Sequence, residues 1–256
     1  MRAGTFRVFL PIVFALRIAA QGPDPVHLPF ECREEELQRA GMDCSEAHPC
    51  PVYLELSAVA PDGHKVFLAG NLHSNSATLD SVLLMSTDEG ATWKEAAERI
   101  PGAALDLLQF YDLQHGWAAG ETQDPLPRDP FFLVTNTGGD TWHRSPVSEA
   151  GTPGAVLNFR FDSAKHGELI VDAGVTAPSG RYVSYESETG GDVWTIRGTA
   201  TKLPDTHESP GNEDWRIRAA KDGKSWQVEL RSGDRWTAVA SFVIEVANCG
   251  GAIEAK

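Results

Sequence analysis

Two histidines occupy the same position in successive stretches of the chain and could serve as metal ligands. His115 and His166 are each followed by glycine, in the segments HGWAAGE and HGELIVDAG. Zinc sites combine several histidine or cysteine ligands at short spacings, and the chain has no HxxxH, HExxH or CxxC sequence. A histidine–glycine pair between two strand-like segments is typical of a turn. The sequence therefore predicts turn residues here, with no metal and no cofactor.

Paired carboxylates could support glycoside hydrolysis, which needs two of them at a set separation. The chain has 36 aspartates and glutamates, so spacing alone singles out no pair. The glycine-rich segments at 137–139 and 189–191 lie in hairpin-like stretches rather than before helices, which argues against a phosphate-binding loop. We therefore predict no catalytic residue from these patterns.

The first twenty residues differ from the rest of the chain. Arg2 and Arg7 precede an apolar run from Val8 to Ala20, which ends in small residues. This is the pattern of a secretory signal peptide, and the run is too short to span a bilayer comfortably. Residues 1–20 are therefore predicted to be a signal peptide, and the mature protein to be secreted or periplasmic without membrane insertion.

The mature chain is strongly acidic. Removing residues 1–20 removes three arginines and no acid, which takes the formal net charge from −14 to −17. An acidic surface without a basic stripe repels phosphate backbones, so nucleic acid is excluded as a partner.

A glycine followed three residues later by tryptophan recurs along the chain. The four occurrences that define a repeat are STDEGATW with Gly90 and Trp93, TNTGGDTW with Gly139 and Trp142, SETGGDVW with Gly191 and Trp194, and LRSGDRW with Gly233 and Trp236. The four tryptophans are separated by 49, 52 and 42 residues. Periods of this size, filled with short strand-like segments, indicate propeller blades.

The residues of STDEGATW predict a self-contained turn. The Asp88 carboxylate can accept hydrogen bonds from nearby backbone N–H groups, and Gly90 can adopt a positive φ. Trp93 then begins the next strand, and we expect it and Trp142 to be largely buried between sheets. The turn is predicted to lie between the third and fourth strands of every unit.

The whole pattern predicts an all-β fold: a small propeller of about four, alternatively five, four-stranded blades. The repeats span about 50–100, 101–150, 151–200 and 201–250, within a propeller domain at 50–256. The last unit lacks a clear first strand, and the N-terminal segment is a candidate donor of one. Residues 21–49 are predicted to form a cap whose helix, in REEELQRAG, ends before Gly41.

Four cysteines lie towards the two ends of the mature chain, which in a secreted protein predicts two disulfides. Cys50 opens the first strand of the first unit and Cys249 ends the last, so ring closure should bring them together. We predict a Cys50–Cys249 bond and a Cys32–Cys44 bond, with Cys32–Cys249 or Cys44–Cys249 as alternatives.

The pattern Ser-x-Asp-x-Gly-x-Thr-Trp resembles the Asp-box, or BNR, repeat of sialidases, sortilin-like receptors and the photosystem II assembly-factor family. Residues 86–93 match it at every defined position, including Ser86, and HGWAAGE is similar to repeats of the assembly-factor group. Thr137 and Thr189 replace the aspartate in the next two repeats, which implies a weaker hydroxyl bond. The resemblance covers roughly residues 50–245 and implies the fold; these turns lie on the propeller rim, away from central sites.

The sialidase resemblance implies an arginine triad, a Tyr–Glu nucleophile pair and an acid/base aspartate. The Phe/Tyr-Arg-Ile-Pro motif is absent, since the nearest strings, at 159–161 and 215–218, lack the proline. Tyr185 next to Glu186 is interpreted as ordinary alternation across a strand. We therefore predict a non-catalytic binding or assembly module that presents loops to a protein or glycan. The alternatives are a glycoside hydrolase of sialidase-like fold and a structural component of the cell envelope.

Overall fold

The computed structural model describes residues 23–123, 126–205, 212–221, 225–245 and 248–250, so the predicted signal peptide lies outside it. Within these residues the chain forms one helix and eighteen strands: β1 Pro25–Leu28, α1 Glu34–Arg39, β2 Cys50–Pro51, β3 Tyr53–Asp62, β4 Lys65–His73, β5 Thr78–Ser86, β6 Lys94–Glu95, β7 Ala103–Phe110, β8 Gly116–Gln123, β9 Pro127–Thr135, β10 His143–Pro146, β11 Ala155–Phe161, β12 Gly167–Asp172, β13 Tyr182–Ser187, β14 Thr195–Ala200, β15 Trp215–Ala219, β16 Trp226–Ser232, β17 Arg235–Ile244 and β18 Asn248–Cys249. None of the helical residues described here forms a segment long and apolar enough to span a bilayer.

Four four-stranded sheets contain most of the strands, and the predicted all-β class is confirmed. Sheet 1 comprises β3 to β6, sheet 2 comprises β7 to β10 and sheet 3 comprises β11 to β14, each an antiparallel meander. Sheet 4 has the order β1-β17-β16-β15. The two-stranded pair of β2 and β18 lies apart from these four sheets.

Apolar side chains on alternate strand positions join the sheets face to face. Sheet 1 packs on sheet 2 through a cluster that includes Leu83 and Phe131, and sheet 2 packs on sheet 3 through Phe132 and Phe161. Sheet 4 packs on sheet 1 through Phe242 and the surrounding leucines of β3 to β5. No strand of sheet 3 packs against sheet 4 to a similar extent within the described ranges. The four sheets therefore form an arc, in the order 4, 1, 2, 3, with an open side on sheet 3.

The last unit is assembled differently from the sequence prediction. Its first strand is β15, and its fourth strand is β1, which runs parallel to β17 with Pro25 opposite Ser241 and Leu28 opposite Ile244. The N-terminal segment therefore donates a strand, as the sequence had left open. Sheet 4 needs no hairpin between its third and fourth strands, because the fourth strand comes from the other end of the chain.

The turn before Trp236 is consequently a different kind of turn. It is the two-residue hairpin between β16 and β17, with Ser232 opposite Arg235 and Gly233 at φ 61°. The prediction that all four glycine–tryptophan turns join the third and fourth strands was wrong here. The Trp236 ring instead lies under the Arg216 guanidinium, whose central carbon is 4.1 Å from the ring centroid.

The predicted N-terminal helix is present as α1 and ends as expected before Gly41. Gly41 has φ 63° and its N–H donates to the Gln38 carbonyl at 3.0 Å, while the Met42 N–H donates to the Leu37 carbonyl at 2.8 Å. This pair of bonds is the usual glycine-terminated helix end. The buried Glu36 carboxylate pairs with the Arg33 guanidinium at 2.5 Å at the start of the helix, and the same guanidinium lies 3.9 Å from the Asp80 carboxylate of sheet 1.

All four cysteines form disulfides, but the pairing differs from the one predicted. The bonds are Cys32–Cys249 and Cys44–Cys50, so the predicted Cys50–Cys249 and Cys32–Cys44 bonds were wrong and one of the alternatives holds. Cys50 and Cys249 are directly opposite each other in the β2–β18 pair, as closure of sheet 4 on sheet 1 requires. The strand β1 runs beside β17, which brings the following Cys32 to the C-terminal end of the chain.

Candidate functional site

The turn at residues 86–93 is held by its own side chains. The Ser86 hydroxyl accepts from the Gly90 N–H at 2.8 Å and donates to the Asp88 carboxylate at 2.8 Å. Asp88 also accepts from the Thr92 hydroxyl at 2.7 Å and from the Thr92 N–H at 2.8 Å. The Thr92 hydroxyl first, and then the other bonds, hold the pKa of Asp88 below its usual value. The Trp93 indole N–H donates to the Gly90 carbonyl at 2.9 Å. Every polar group named here is used inside the turn, so its role is architectural.

The next two turns replace the aspartate with threonine and keep the same geometry. Thr137 accepts from the Thr141 N–H at 3.0 Å, and Thr189 accepts from the Val193 N–H at 2.8 Å. Trp142 repeats the indole bond, to Gly139 at 3.1 Å. The buried indole N–H of Trp194 has no hydrogen-bond partner among the described residues.

Each of these turns packs on the preceding sheet of the arc. A Cβ added to Gly90 would contact Trp215 of sheet 4, one added to Gly139 would overlap the Phe67 ring of sheet 1, and one added to Gly191 would contact Trp117 of sheet 2. Trp93 and Trp142 are partly buried, and they pack against the apolar clusters of these joints. A Cβ at Gly233 would have no neighbour within 4 Å.

Two buried carboxylates, Asp80 and Glu121, have pKa values raised to near neutrality. Burial, and then the neighbouring Glu36, raise the pKa of Asp80 to about 6. Burial raises the pKa of Glu121 to about 7, although its carboxylate accepts from the Val156 N–H at 3.1 Å and the Gln123 amide at 2.9 Å. Raised values can mark catalytic acids. Asp80 and Glu121 belong to different sheets and are almost fully covered by protein, so we interpret both as structural.

The open side of sheet 3 has a polar composition that its counterpart in sheet 2 lacks. The registers of the two meanders match four apolar positions of sheet 2 that cover sheet 3 with positions of sheet 3. Three of the four become polar, namely Trp117 to Glu168, Phe132 to Ser184 and Val134 to Glu186, while Ala119 corresponds to the apolar Ile170. The joint between sheets 2 and 3 is therefore not repeated beyond sheet 3. A surface of this composition is stable in contact with water and can also bind a polar partner.

A row of charges crosses this open face. Arg160 on β11 is opposite Glu168 on β12, which is opposite Glu186 on β13. The Arg197 guanidinium on β14 contacts the Glu186 carboxylate at 3.0 Å. The arginines offset the repulsion between two carboxylates placed directly opposite each other.

We define the open face of sheet 3 as Asn158, Arg160, Glu168, Ile170, Ser184, Glu186 and Arg197, which line a cavity of about 360 Å³. Tyr185 points the other way, into the joint with sheet 2, where burial raises the pKa of its hydroxyl. The alternation of Tyr185 and Glu186 across the strand is therefore as interpreted from the sequence.

Exposed apolar side chains are concentrated around the same sheet. Leu157, Val193, Ile196 and Leu203 are 38, 59, 59 and 52% exposed. Ile196 lies on β14, the outer strand of sheet 3, whose six residues make it longer than the outer strands of the other sheets. Sequence reasoning missed this site; the signal was the substitution of a glutamate for the tryptophan of HGW in the next repeat.

The comparisons with known proteins concern the arrangement of strands. No protein-family model matches the chain, and no curated protein matches it. Among solved structures, it is similar to YCF48 bound to D1 peptide (TM-score 0.42, 18% identity, 73% of this chain and 57% of that one) and to YCF48 from Cyanidioschyzon merolae (0.37, 17%, 74% and 56%). It is also similar to the phage phi92 endosialidase (0.47, 11%, 73% and 42%) and to a Trypanosoma rangeli sialidase (0.38, 13%, 71% and 30%). The chain therefore matches somewhat over half the length of the YCF48 chains.

Proposed function

We propose that this protein is a secreted or periplasmic, non-catalytic binding module that holds an extended polypeptide along β14 and the open face of sheet 3. The observation that carries the proposal is the outer edge of sheet 3, where an exposed strand adjoins a charged cavity. Two disulfides support an oxidising compartment, because such bonds are rare in reducing ones.

The edge strand supports a polypeptide as the partner. Among the residues that the structure describes, β14 pairs with β13 on one side alone, which leaves its outer N–H and C=O groups to a further strand. Strand addition of this kind gives affinity through main-chain bonds and specificity through alternate side chains. Proteins usually shorten, charge or cover such edges, whereas β14 is six residues long and carries the exposed Ile196.

The charge row supports a partner with side chains of both signs. Arg160 has no ion-pair partner among the described residues, while Arg197 is already bound to Glu186. A partner carboxylate near Arg160 and an ammonium or guanidinium near Glu168 would each meet an opposite charge. A large apolar ligand would not be matched by this cavity.

The test is site-specific photo-crosslinking of the mature protein in an extract of its own cell envelope or medium. A photoreactive phenylalanine at Ile196 should crosslink to a discrete protein, and the same group at Leu126, which is 73% exposed just before β9, should not. Competition by the Ile196→Lys variant should be weaker than competition by the Leu126→Lys variant. Equal crosslinking at both positions would contradict the proposal.

The other functions considered from the sequence give different results. If the partner is a glycan, no protein adduct should form. Added envelope polysaccharide should then reduce the photoreaction of the group at position 196. A glycoside hydrolase would turn over substrate. A structural component of the envelope would remain in its insoluble fraction and would behave alike with either lysine variant.

A further inference from the structure

A histidine and two glutamates converge at the rim of sheet 3, beside the open face. The His166 Nε2 atom lies 3.4 Å from a Glu186 oxygen and 4.0 Å from a Glu188 oxygen. One ligand atom from each of the three residues lies within 4.8 Å of the other two. Two ligands bound to one tetrahedral zinc ion at about 2.0 Å lie roughly 3.3 Å apart, so small side-chain rotations would complete the site.

The two less exposed members of this cluster are oriented by other groups. The His166 Nδ1 atom is 2.9 Å from the Asp162 carboxylate, which leaves Nε2 directed at the two glutamates. The Arg197 guanidinium holds the Oε2 atom of Glu186 at 3.0 Å, which leaves Oε1 on the side of the histidine. A carboxylate on the second nitrogen of a histidine is the usual support of a metal-ligating imidazole.

The neighbouring repeat has the histidine and its supporting carboxylate but lacks the two glutamates. His115 occupies the position of His166, and its Nδ1 atom is 2.9 Å from Asp112. The positions of Glu186 and Glu188 are held there by Val134 and Asn136. The histidine–carboxylate pair is thus a general turn feature, and the two glutamates are an addition particular to sheet 3.

We propose that His166, Glu186 and Glu188 bind one divalent cation of the zinc class. An imidazole with two carboxylates suits zinc and its late first-row neighbours, whereas calcium and magnesium prefer all-oxygen sets of six or more ligands. Three protein ligands leave a coordination position for water or for a side chain of a bound partner. Without the metal, a protonated His166 can satisfy the same carboxylates; the hydrogen bond to Asp162 raises the pKa of His166.

Titration of the untagged, full-length mature protein with zinc chloride, followed by calorimetry, tests the proposal. Cobalt(II) absorption reports imidazole and carboxylate ligation independently. We expect the protein to bind one zinc ion, which calcium and magnesium do not displace. Glu188→Gln, at a side chain 72% exposed, should weaken zinc binding at least about tenfold, and Asp162→Asn should weaken it by about 10- to 100-fold.

Matched variants separate this site from adventitious binding. His115→Gln in the neighbouring repeat and Glu168→Gln on the open face should leave zinc binding unchanged, while His166→Gln should abolish it. Thermal melts without zinc establish that each variant folds, and Glu188→Gln decides the matter if His166→Gln does not. Zinc affinity that is unaffected by Glu188→Gln, or that is lost equally in His115→Gln, would overturn the proposal, as would no binding at millimolar zinc.

Discussion

Glu121 should make the stability of this protein fall as the pH rises from about 4.5 to about 7. The residue is 5% exposed, at the joint between sheets 2 and 3, and burial raises the pKa of its carboxyl group to about 7. The ordinary pKa of a glutamate, which applies to the unfolded chain, is 4.5. Because the folded pKa is the higher one, the stabilising contribution is fully present below about pH 4.5 and is lost as the pH rises to about 7.

The size of the effect follows from the difference between the two pKa values. Each unit corresponds to about 1.4 kcal/mol, so ionising Glu121 in the folded state costs on the order of 3 kcal/mol above pH 7. The variant Glu121→Gln removes the charge while keeping an oxygen that can accept from the Val156 N–H. The free energy of unfolding of the variant, relative to the parent, should therefore rise between pH 4.5 and 7 and stay level above that.

Urea denaturation with the disulfides intact, at pH 4.5, 6 and 8, measures this difference. Glu168→Gln is the control, because that carboxylate is exposed on the open face. Any part of the difference in unfolding free energy between the parent and Glu121→Gln that is the same at every pH reflects packing alone. A difference that does not change with pH, or that falls as the pH rises, would refute the assignment of Glu121 as a buried acid.

Three further predictions concern the joints, the disulfides and catalysis. Trp93→Ala should lower the free energy of unfolding by about 3 kcal/mol, because the ring packs edge-on against Phe242 and its indole N–H donates to the Gly90 carbonyl. A variant that melts at the same temperature as the parent would contradict this. Loss of the Cys32–Cys249 disulfide, whose cysteines are 217 positions apart, should cost about 5 kcal/mol, against about 2 kcal/mol for Cys44–Cys50, whose cysteines are 6 positions apart; chemical denaturation of the two double serine variants tests the order. The mature protein should hydrolyse neither sialosides nor aryl glycosides; saturable turnover lost on mutating one acid of the open face would overturn that expectation.

Local patterns predicted most of the fold. The turns of sheets 1 to 3 could be recognised because their hydrogen bonds lie within eight consecutive residues, as those of Ser86 and Asp88 do. The end of α1 was predictable for the same reason, since only glycine adopts a positive φ there readily. In each case the residues that determine the conformation are adjacent in the chain.

The errors concern residues that are distant in the chain. Trp236 carries the local signal of the other turns, but β1 supplies the fourth strand of sheet 4 from more than 200 residues away, so no turn between the third and fourth strands is required. The disulfides follow from the same pairing, because β1 leads Cys32 to Cys249. No spacing of cysteines in the sequence contains this information.

The candidate site was missed because it depends on what is absent from an otherwise regular repeat. Trp117 donates its indole N–H to the Gly190 carbonyl of the next sheet at 2.7 Å, and its ring stacks on Phe161 at 3.7 Å. Glu168, at the same place in sheet 3, has neither an indole donor nor an apolar surface to offer a following turn. One exchange of tryptophan for glutamate therefore removes two contributions to the next joint at once. The outer strand β14, the charge row and the proposed cation site formed by His166, Glu186 and Glu188 therefore lie together on the sheet that lacks these two contributions.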